Sequence, residues 1–257
     1  MQKIDFGKTA KDYAQYREGF PQSLIIRLQM HSIGLKNQKI VDIGTGTGTL
    51  ARHFAEFGAK VCGIDIAKEL LEQAKELDKL SRVSIDYLIG SAEQLPFADS
   101  SKDVITAGQC WHWFDGNQTA KECFHVLKPG GALVICHFDW IPLPENVVEL
   151  TESIILKHNP FWKMGDGTGL YSRWLLDVST QGFQYLETFS YDHLVTYSHE
   201  RWRGRIRASA GVSATLSLDQ VAHFDSEHKF ELHSKFPEDT LNIPHRVWVL
   251  IARKPWG

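Results

Sequence analysis

The sequence predicts an α/β fold, a mostly parallel seven-stranded sheet with helices on both faces. Strand and helix patterns alternate through the first half of the 257 residues, and parallel strands joined by helical crossovers give this order. A glycine-rich turn directly after the first apolar strand supports the same fold, because parallel sheets bind ligands beyond the ends of their strands. The order changes in the second half, where we expect helical insertions after the fifth strand and before the last.

The elements of the first half follow from apolar periodicity. The first helix, at 49–57, carries Leu50, Phe54 and Phe57 at helical spacing. A proline-glycine break at 128–131 ends the last helix of this half, because proline and glycine disfavour helix continuation. The predicted elements are strands at 39–43, 59–64, 83–89, 103–107 and 132–138, and helices at 49–57, 68–80 and 120–127.

The second half and the N-terminal segment complete the prediction. Ser198 is a candidate N-cap, and Pro21 suits a first helical position. The predicted elements are helices at 145–157, 173–180, 198–209 and 218–230, strands at 183–191 and 246–253, and two short helices at 9–17 and 21–31 before the first strand.

Composition excludes several classes of partner. The formal net charge is −3, so no global field attracts nucleic acid. No apolar stretch is long enough to span a bilayer, and the N-terminus lacks a signal-peptide core, so we expect no membrane partner and a cytoplasmic location. No two cysteines form a Cys-x-x-Cys pair, which predicts reduced core thiols with no disulfide or metal role. These cysteines are Cys62, Cys110, Cys123 and Cys136.

The turn after the first strand reads Asp42-Ile43-Gly44-Thr45-Gly46-Thr47-Gly48. Glycines at alternate positions let the backbone approach a ligand closely. A dinucleotide-binding turn would need a glycine at Thr49. A pyrophosphate gains nothing from the carboxylate of Asp42, whereas a cation or an ammonium group does. The turn therefore favours a cationic ligand over a dinucleotide.

The ends of three further strands add candidate ligand contacts. Asp65 ends the second strand, where a carboxylate accepts hydrogen bonds from both ribose hydroxyls of a nucleoside; a solvated carboxylate is the alternative. The third strand is followed by 90–97 and the fourth by 108–114. Because the carboxyl ends of parallel strands meet at one edge of the sheet, these segments belong to one site.

Four motifs in order resemble a class I S-adenosylmethionine-dependent methyltransferase of the small-molecule type, with its Rossmann-like fold. The motifs are the 42–48 turn, Asp65, Ser91-Ala92-Glu93-Gln94-Leu95-Pro96-Phe97 and Val126-Leu127-Lys128-Pro129-Gly130-Gly131. The resemblance covers roughly residues 5–138, and it implies S-adenosylmethionine as cofactor and S-adenosylhomocysteine as product.

The resemblance also assigns parts of the cofactor to residues. The turn lies against the methionine moiety, with Asp42 serving its ammonium group, and Asp65 holds the ribose. Many relatives have aspartate where Ser91 stands, but a serine hydroxyl still donates and accepts. The implied cofactor-binding residues are Tyr16, Arg17, Asp42, Gly44, Thr45, Gly46, Gly48, Asp65, Ile66, Ser91, Ala92, Glu93 and Gln109, with Ile66 beside the adenine and Ser91 and Ala92 at its edge.

The N-terminal segment 6–17 is similar to one that covers the cofactor in small-molecule methyltransferases. Arg17 suits a bidentate pair with the cofactor carboxylate, and Tyr13 or Tyr16 suits a contact with the sulfonium. An amphipathic surface helix is the alternative.

The stretch Gln109-Cys110-Trp111-His112-Trp113-Phe114 resembles the trans-aconitate methyltransferase group. We expect His112 to contact the acceptor or act as a base, and Trp111 and Trp113 to line the acceptor pocket. The alternatives are a packing histidine and core tryptophans.

Residues 140–240 are expected to build the acceptor side. Within the run 201–207, Arg203 and Arg207 share a helix face and are candidates for recognising an acidic substrate, or else form a solvated basic face. The aromatic residues expected on this side are Trp140, Phe161, Trp162, Tyr171, Trp174, Tyr197 and Trp202.

The sequence therefore predicts methyl transfer to a small organic acceptor, at a carboxylate oxygen or a heterocycle nitrogen or oxygen. A non-catalytic cofactor-binding protein and a nicotinamide-dependent oxidoreductase are the alternatives. We expect a monomer or homodimer with one domain over 1–257. Its predicted parts are a helical lid at 1–35, a cofactor-binding core at 36–139, substrate-side helices with the sixth strand at 140–243, and the last strand at 244–257.

Overall fold

A computed structural model describes residues 19–256 of the chain. The elements are α1 (Gln22–Met30), β1 (Lys39–Ile43), α2 (Thr49–Glu56), β2 (Lys60–Asp65), α3 (Lys68–Ser81), β3 (Asp86–Ile89), β4 (Lys102–Gly108), a 3₁₀ helix (Trp111–Trp113), α4 (Gly116–Val126), β5 (Leu127–Trp140), α5 (Val147–His158), α6 (Trp174–Ser179), β6 (Gln184–Tyr197), α7 (His199–Arg207), α8 (Leu218–Lys235) and β7 (Leu241–Arg253). The predicted helix at 9–17 lies outside the described residues.

The seven strands form one sheet in the order β3-β2-β1-β4-β5-β7-β6. β1 pairs in parallel with β2 on one side and with β4 on the other, and β2 with β3 and β4 with β5 are also parallel. The strand order reverses between β1 and β4, which is where an α/β sheet leaves a crevice for ligands. The predicted α/β fold is confirmed.

Several predicted boundaries are wrong. The strands predicted at 183–191 and 246–253 are longer, and the one at 83–89 begins only at Asp86. β5 begins at Leu127 and runs through the proline-glycine segment, because Gly130 N donates to Lys254 O at 2.8 Å and Lys254 N donates to Gly131 O at 3.0 Å. The segment ends α4 as predicted, but its backbone is hydrogen-bonded as sheet rather than as a loop.

Capping side chains fix where helices begin. Asp115 accepts a hydrogen bond from Gln118 N, so α4 begins at Gly116, four residues before the predicted start. Ser198 accepts from Arg201 N and is the N-cap of α7, as predicted. Pro21 precedes α1 in an extended conformation and is not its first residue.

The chain divides into two compact units, each with its own core. Among the described residues, unit 2 comprises 19–138, 171–191 and 247–256, and unit 1 comprises 139–170 and 192–246. In unit 2, Val41, Ile105 and Leu133 of adjacent strands are buried in one apolar cluster. In unit 1, helices α5, α7 and α8 bury Ile155, Trp202 and Phe224 in another. The predicted domain parts stay predictions.

All four cysteines are free thiols. Cys110, Cys123 and Cys136 are buried and Cys62 is half-buried. Burial raises the pKa of Cys62, so its thiol stays protonated at neutral pH. These positions agree with the predicted role as reduced core residues.

Candidate cofactor and acceptor site

The glycine turn after β1 is held from below by Asp42. Thr45 Oγ1 and Thr106 Oγ1 each donate to a different oxygen of this carboxylate at 2.6 Å. Asp42 is only 2% exposed, and burial raises its pKa to about 6 despite the two hydroxyl donors. Within residues 19–256 no lysine, arginine or histidine forms an ion pair with it. A buried carboxylate without a cation gives the turn a negative potential.

Asp65 ties the turn to the end of β2. Gly46 N donates to Asp65 Oδ2 at 2.8 Å, and Ala67 N donates to Oδ1 at 2.9 Å. Burial raises the pKa of Asp65, although these backbone donors oppose the shift. Each carboxylate oxygen keeps a further lone pair that can accept a hydrogen bond. The turn and the predicted ribose-binding residue are therefore one hydrogen-bonded unit.

The three glycines of the turn differ in what a side chain at each position would contact. A side chain at Gly44 would meet Cys110 and Phe114 at 2.9 Å, and one at Gly48 would meet the hydroxyl of Tyr87. At Gly46 no atom of the described residues 19–256 lies within 4 Å of the added carbon. All three have positive φ angles, which glycine adopts without strain. Gly44 and Gly48 therefore leave space for neighbouring side chains of the protein, whereas Gly46 faces space that no other part of residues 19–256 fills.

The segment predicted to meet the adenine combines an apolar surface with a small polar network. Ile66 is 77% exposed directly after Asp65. Ser91 Oγ donates to Glu93 Oε2, and Glu93 Oε1 accepts from Asp115 N at 3.1 Å. Ala92 is buried. Glu93 therefore fixes both the hydroxyl of Ser91 and the start of α4.

Gln109 follows β4 with a φ of 61°. Its Nε2 donates to Phe138 O at 2.9 Å, and its Oε1 accepts from Phe138 N at 2.8 Å. The side chain thus pairs with the backbone of β5 like an additional ladder residue. These two hydrogen bonds give Gln109 a structural role at the end of β5. Its contact with the cofactor stays a prediction.

The two tryptophans beside His112 occupy different environments. Trp111 is 1% exposed, and its Nε1 donates to Asp177 Oδ2 at 3.0 Å. Trp113 is 43% exposed, and its ring centroid lies 4.5 Å from that of the exposed His112. Trp111 is a core residue, as in the alternative interpretation of this stretch, because its indole is buried in the apolar cluster of unit 2 that includes residues of α4. Trp113 and His112 are accessible to an acceptor.

An aromatic cluster adjoins His112 within unit 2. The ring of His137, near the carboxyl end of β5, lies 5.3 Å from that of His112, 4.4 Å from Tyr171 and 4.8 Å from Trp174. Tyr171 and Trp174 stack at 4.1 Å with an interplanar angle of 2°. His137 was missing from the predicted site. Its position near the end of a strand could have indicated a site residue. However, His137 lies within an apolar run of the sequence, and such a run predicts a buried core position.

Arg203 and Arg207 of unit 1 are paired with carboxylates. Arg203 Nε and Arg207 Nη1 donate to Asp225 Oδ1 at 3.0 and 2.8 Å, and both arginines also donate to Glu200. Burial raises the pKa of Asp225, but these hydrogen bonds outweigh it and the net pKa is lowered. The shared helix face was predicted, but the pairing fits neither predicted role, since these charges are neither solvated nor unmatched.

The remaining predicted contacts cannot be placed. Tyr13, Tyr16 and Arg17 lie outside the described residues. Over 19–256, no group of three or more histidine, cysteine, aspartate or glutamate side chains is arranged to hold a metal ion. No described helix is long and apolar enough to cross a bilayer.

Sequence comparisons agree with this geometry. The family described as a methyltransferase domain, Methyltransf_11, matches residues 41–135. An uncharacterized methyltransferase of Mycobacterium bovis is 30% identical over 130 residues, which are 51% of this chain and 50% of that protein. A demethylmenaquinone methyltransferase of Chlorobaculum tepidum is 35% identical over 163 residues, 63% of this chain and 58% of that protein. The chain spans about half the length of these curated relatives.

Structural comparisons add the fold. A phosphoethanolamine N-methyltransferase 2 of Haemonchus contortus, solved with S-adenosylhomocysteine, superposes with a TM-score of 0.59 at 20% identity, covering 98% of this chain and 60% of that one. The YcgJ protein of Bacillus subtilis gives 0.57 at 19% identity, covering 90% and 97%. The matched residues 41–135 include the glycine turn, Asp65 and β4. Residues 41–135 therefore form a methyltransferase domain, and the fold around them is the one shared by these solved structures.

Proposed function

We propose that this protein transfers a methyl group from S-adenosylmethionine to a small organic acceptor. The observation that carries the proposal is the pair of carboxylates at the switch point. Asp42 and Asp65 lie in and beside the glycine turn, and neither forms an ion pair within the described residues. Because S-adenosylmethionine carries a sulfonium and an ammonium against one carboxylate, its net positive charge complements this turn.

The residues of the turn fit the parts of this cofactor. Gly46 leaves open space above the backbone where a ligand can approach. Asp65 retains lone pairs for ribose hydroxyls, and the exposed side chain of Ile66 offers an apolar surface to an adenine ring. Asp42 is too deeply buried for a direct contact, so we expect it to act on the ammonium through its charge in a low-dielectric site.

The chemistry requires alignment more than catalytic groups. The sulfonium supplies a methyl group already activated for displacement. What the chain contributes is binding, orientation and exclusion of water, and good alignment alone supplies about 7–11 kcal/mol of rate acceleration. The aromatic rings of Trp113, Tyr171 and Trp174 suit this task, since they provide an apolar wall at the carboxyl edge of the sheet.

The acceptor atom decides whether a base is needed. A carboxylate oxygen or a pyridine-type nitrogen is a nucleophile without losing a proton, whereas a ring N–H or a hydroxyl must lose one. His112 is exposed and borders His137, so it is the first candidate to take that proton. We propose a carboxylate oxygen or a heterocycle nitrogen or oxygen as the acceptor atom. Membership of the trans-aconitate group stays a prediction.

The first experiment tests cofactor binding. We expect S-adenosylhomocysteine to raise the melting temperature of the protein, because a ligand that binds only the folded state stabilises it. NADH is the matched control. A shift with NADH and none with millimolar S-adenosylhomocysteine would overturn the proposal in favour of an oxidoreductase.

The second experiment tests transfer. Labelled S-adenosylmethionine is incubated with a panel of acceptors: an organic tricarboxylate, a hydroxylated heterocycle, phosphoethanolamine and a naphthoquinol, the last two suggested by the names of the similar proteins. Label in any product supports an enzyme. Cofactor binding without transfer to any acceptor favours the non-catalytic binding protein. The absence of a nucleic-acid partner, the cytoplasmic location and the monomer or homodimer state stay predictions.

A further inference from the structure

Arg205 differs from the two paired arginines of α7. Arg203 and Arg207 share Asp225 and Glu200 through five hydrogen bonds. Arg205 forms no hydrogen bond and no ion pair within residues 19–256. A position two residues from each neighbour points roughly away from their shared face on a helix. The same helix therefore carries matched charges on one face and an unmatched guanidinium elsewhere.

The surroundings of Arg205 in unit 1 are aromatic. Its guanidinium carbon lies over the ring of Trp140, 4.9 Å from the centroid. Trp140 is fixed in turn, because its Nε1 donates to Glu152 Oε1 at 2.7 Å. Burial lowers the pKa of Arg205, although electrostatic interactions with Tyr197 and Asp139 oppose this. An arginine remains charged at physiological pH despite such a shift.

An arginine in this setting lacks acceptors for its donors. A guanidinium has five N–H donors, and a desolvated charge is costly unless it is paired and hydrogen-bonded. The carboxylate of Asp139 interacts electrostatically with Arg205, but the two side chains do not form an ion pair. Arg205 is half-buried, and none of its nitrogens is among the fully buried side-chain atoms that lack a hydrogen-bond partner in residues 19–256.

We propose that Arg205 binds the carboxylate of a small organic acid, with the face of Trp140 against the adjoining part of that molecule. A carboxylate matches a single guanidinium, because it carries one charge and two coplanar oxygens that accept a bidentate pair. A phosphate dianion would call for a second cation. This carboxylate site lies within unit 1 and does not rest on the proposed function.

The site is tested by direct binding, without turnover. Benzoate and tricarballylate are titrated into the full chain by ligand-observed NMR, with benzamide as the uncharged control. We expect both acids to bind and benzamide to bind at least 10-fold more weakly. Arg205→Gln is expected to weaken both acids at least 10-fold, and Arg205→Lys to weaken them less, since it keeps the charge but loses the planar fork.

Two further variants separate the arginines. Arg173→Gln removes an exposed arginine of unit 2 and is expected to leave acid binding unchanged. Arg207→Gln tests the competing assignment to the paired face. Equal acid binding by the wild type and by both Arg205 variants would overturn the proposal, as would loss of acid binding in Arg207→Gln alone. The far-ultraviolet circular dichroism spectrum and melting temperature of each variant without ligand report whether it is folded, and Arg205→Lys serves if Arg205→Gln is not.

The outcomes also separate this site from the proposed function. Acid binding that depends on Arg205, in a protein with no S-adenosylhomocysteine shift, keeps the carboxylate site and rejects the methyltransferase assignment. A melting-temperature shift with S-adenosylhomocysteine and no acid binding keeps the methyltransferase assignment and rejects the carboxylate site.

Discussion

Two carboxylates in this protein, the buried Asp42 and the half-buried Asp225, are stabilised in different ways. In unit 2, Asp42 accepts from two threonine hydroxyls and no cation, and its pKa is raised to about 6. In unit 1, Asp225 accepts from Arg203 and Arg207, and their hydrogen bonds lower its pKa below the usual value in spite of burial. The charge of Asp225 is thus balanced by arginines of the same unit, whereas the charge of Asp42 is not balanced by a cation. A carboxylate paired with arginines, such as Asp225, stabilises the fold, and a carboxylate without a cation, such as Asp42, suits a cationic ligand.

The same contrast holds for the cations. Arg203 is neutralised within the fold, whereas Arg205, on the same helix, has no anionic partner among the described residues. Uncompensated charges of opposite sign thus mark the two proposed ligands, a cationic cofactor at the glycine turn and an organic acid at Arg205. The comparison predicts that variants of matched charges change stability, and variants of unmatched charges change binding.

The largest effect is expected from Arg203→Met. Removing Arg203 takes away two of the three arginine hydrogen bonds that Asp225 accepts and leaves Arg207 as its one cation, which we expect to cost about 3 kcal/mol of unfolding free energy. Urea unfolding measures the loss. The double variant Arg203→Met with Asp225→Leu is the control, and it should recover part of the loss because no buried carboxylate then lacks its partner. Loss of cofactor affinity instead of stability would contradict the assignment of this pair to the fold.

A smaller effect is expected from Asp65→Ala. The variant loses the acceptor for the ribose hydroxyls and the anchor of Gly46 N, and hydrogen bonds to charged groups contribute about 1.5–3 kcal/mol each. We expect S-adenosylhomocysteine affinity to fall by about 100-fold in isothermal titration calorimetry. Glu69→Ala, which removes an exposed carboxylate of α3, is the matched control. Equal affinity in the wild type and Asp65→Ala would rule out ribose binding by this residue.

The smallest effect is expected from the titration of Asp42. Its pKa is raised to about 6, so the carboxylate is charged at pH 7 and protonated at pH 5. The ammonium group that S-adenosylhomocysteine shares with the cofactor is attracted only by the charged form of Asp42, and we therefore expect affinity for S-adenosylhomocysteine to fall by about 10-fold between pH 7 and pH 5. The ligand's own ammonium and carboxylate do not titrate in this range. Asp42→Asn should remove this dependence, and a pH-independent affinity in the wild type would contradict the role of its charge.

Much of the fold and of the cofactor site follows from local sequence. Apolar periodicity predicts the strands and helices because buried faces repeat with the period of each element. The 42–48 turn and Asp65 were predicted as ligand-binding positions because parallel strands present their carboxyl ends at one edge. Boundaries were less predictable. β5 continues through Gly130 and Gly131 only because Lys254, far away in sequence, hydrogen-bonds to them.

The sequence by itself determined the α/β order, the glycine turn and the acidic residues at the strand ends, because these depend on short-range periodicity and strand direction. Only the tertiary structure decided which charges are matched. Arg203, Arg205 and Arg207 are alike in a run of arginines, but Asp225, which pairs with Arg203, lies 22 residues away on another helix. Helix packing brings that carboxylate to one face of α7 alone, and Arg205, outside that face, has no anionic partner in the described chain.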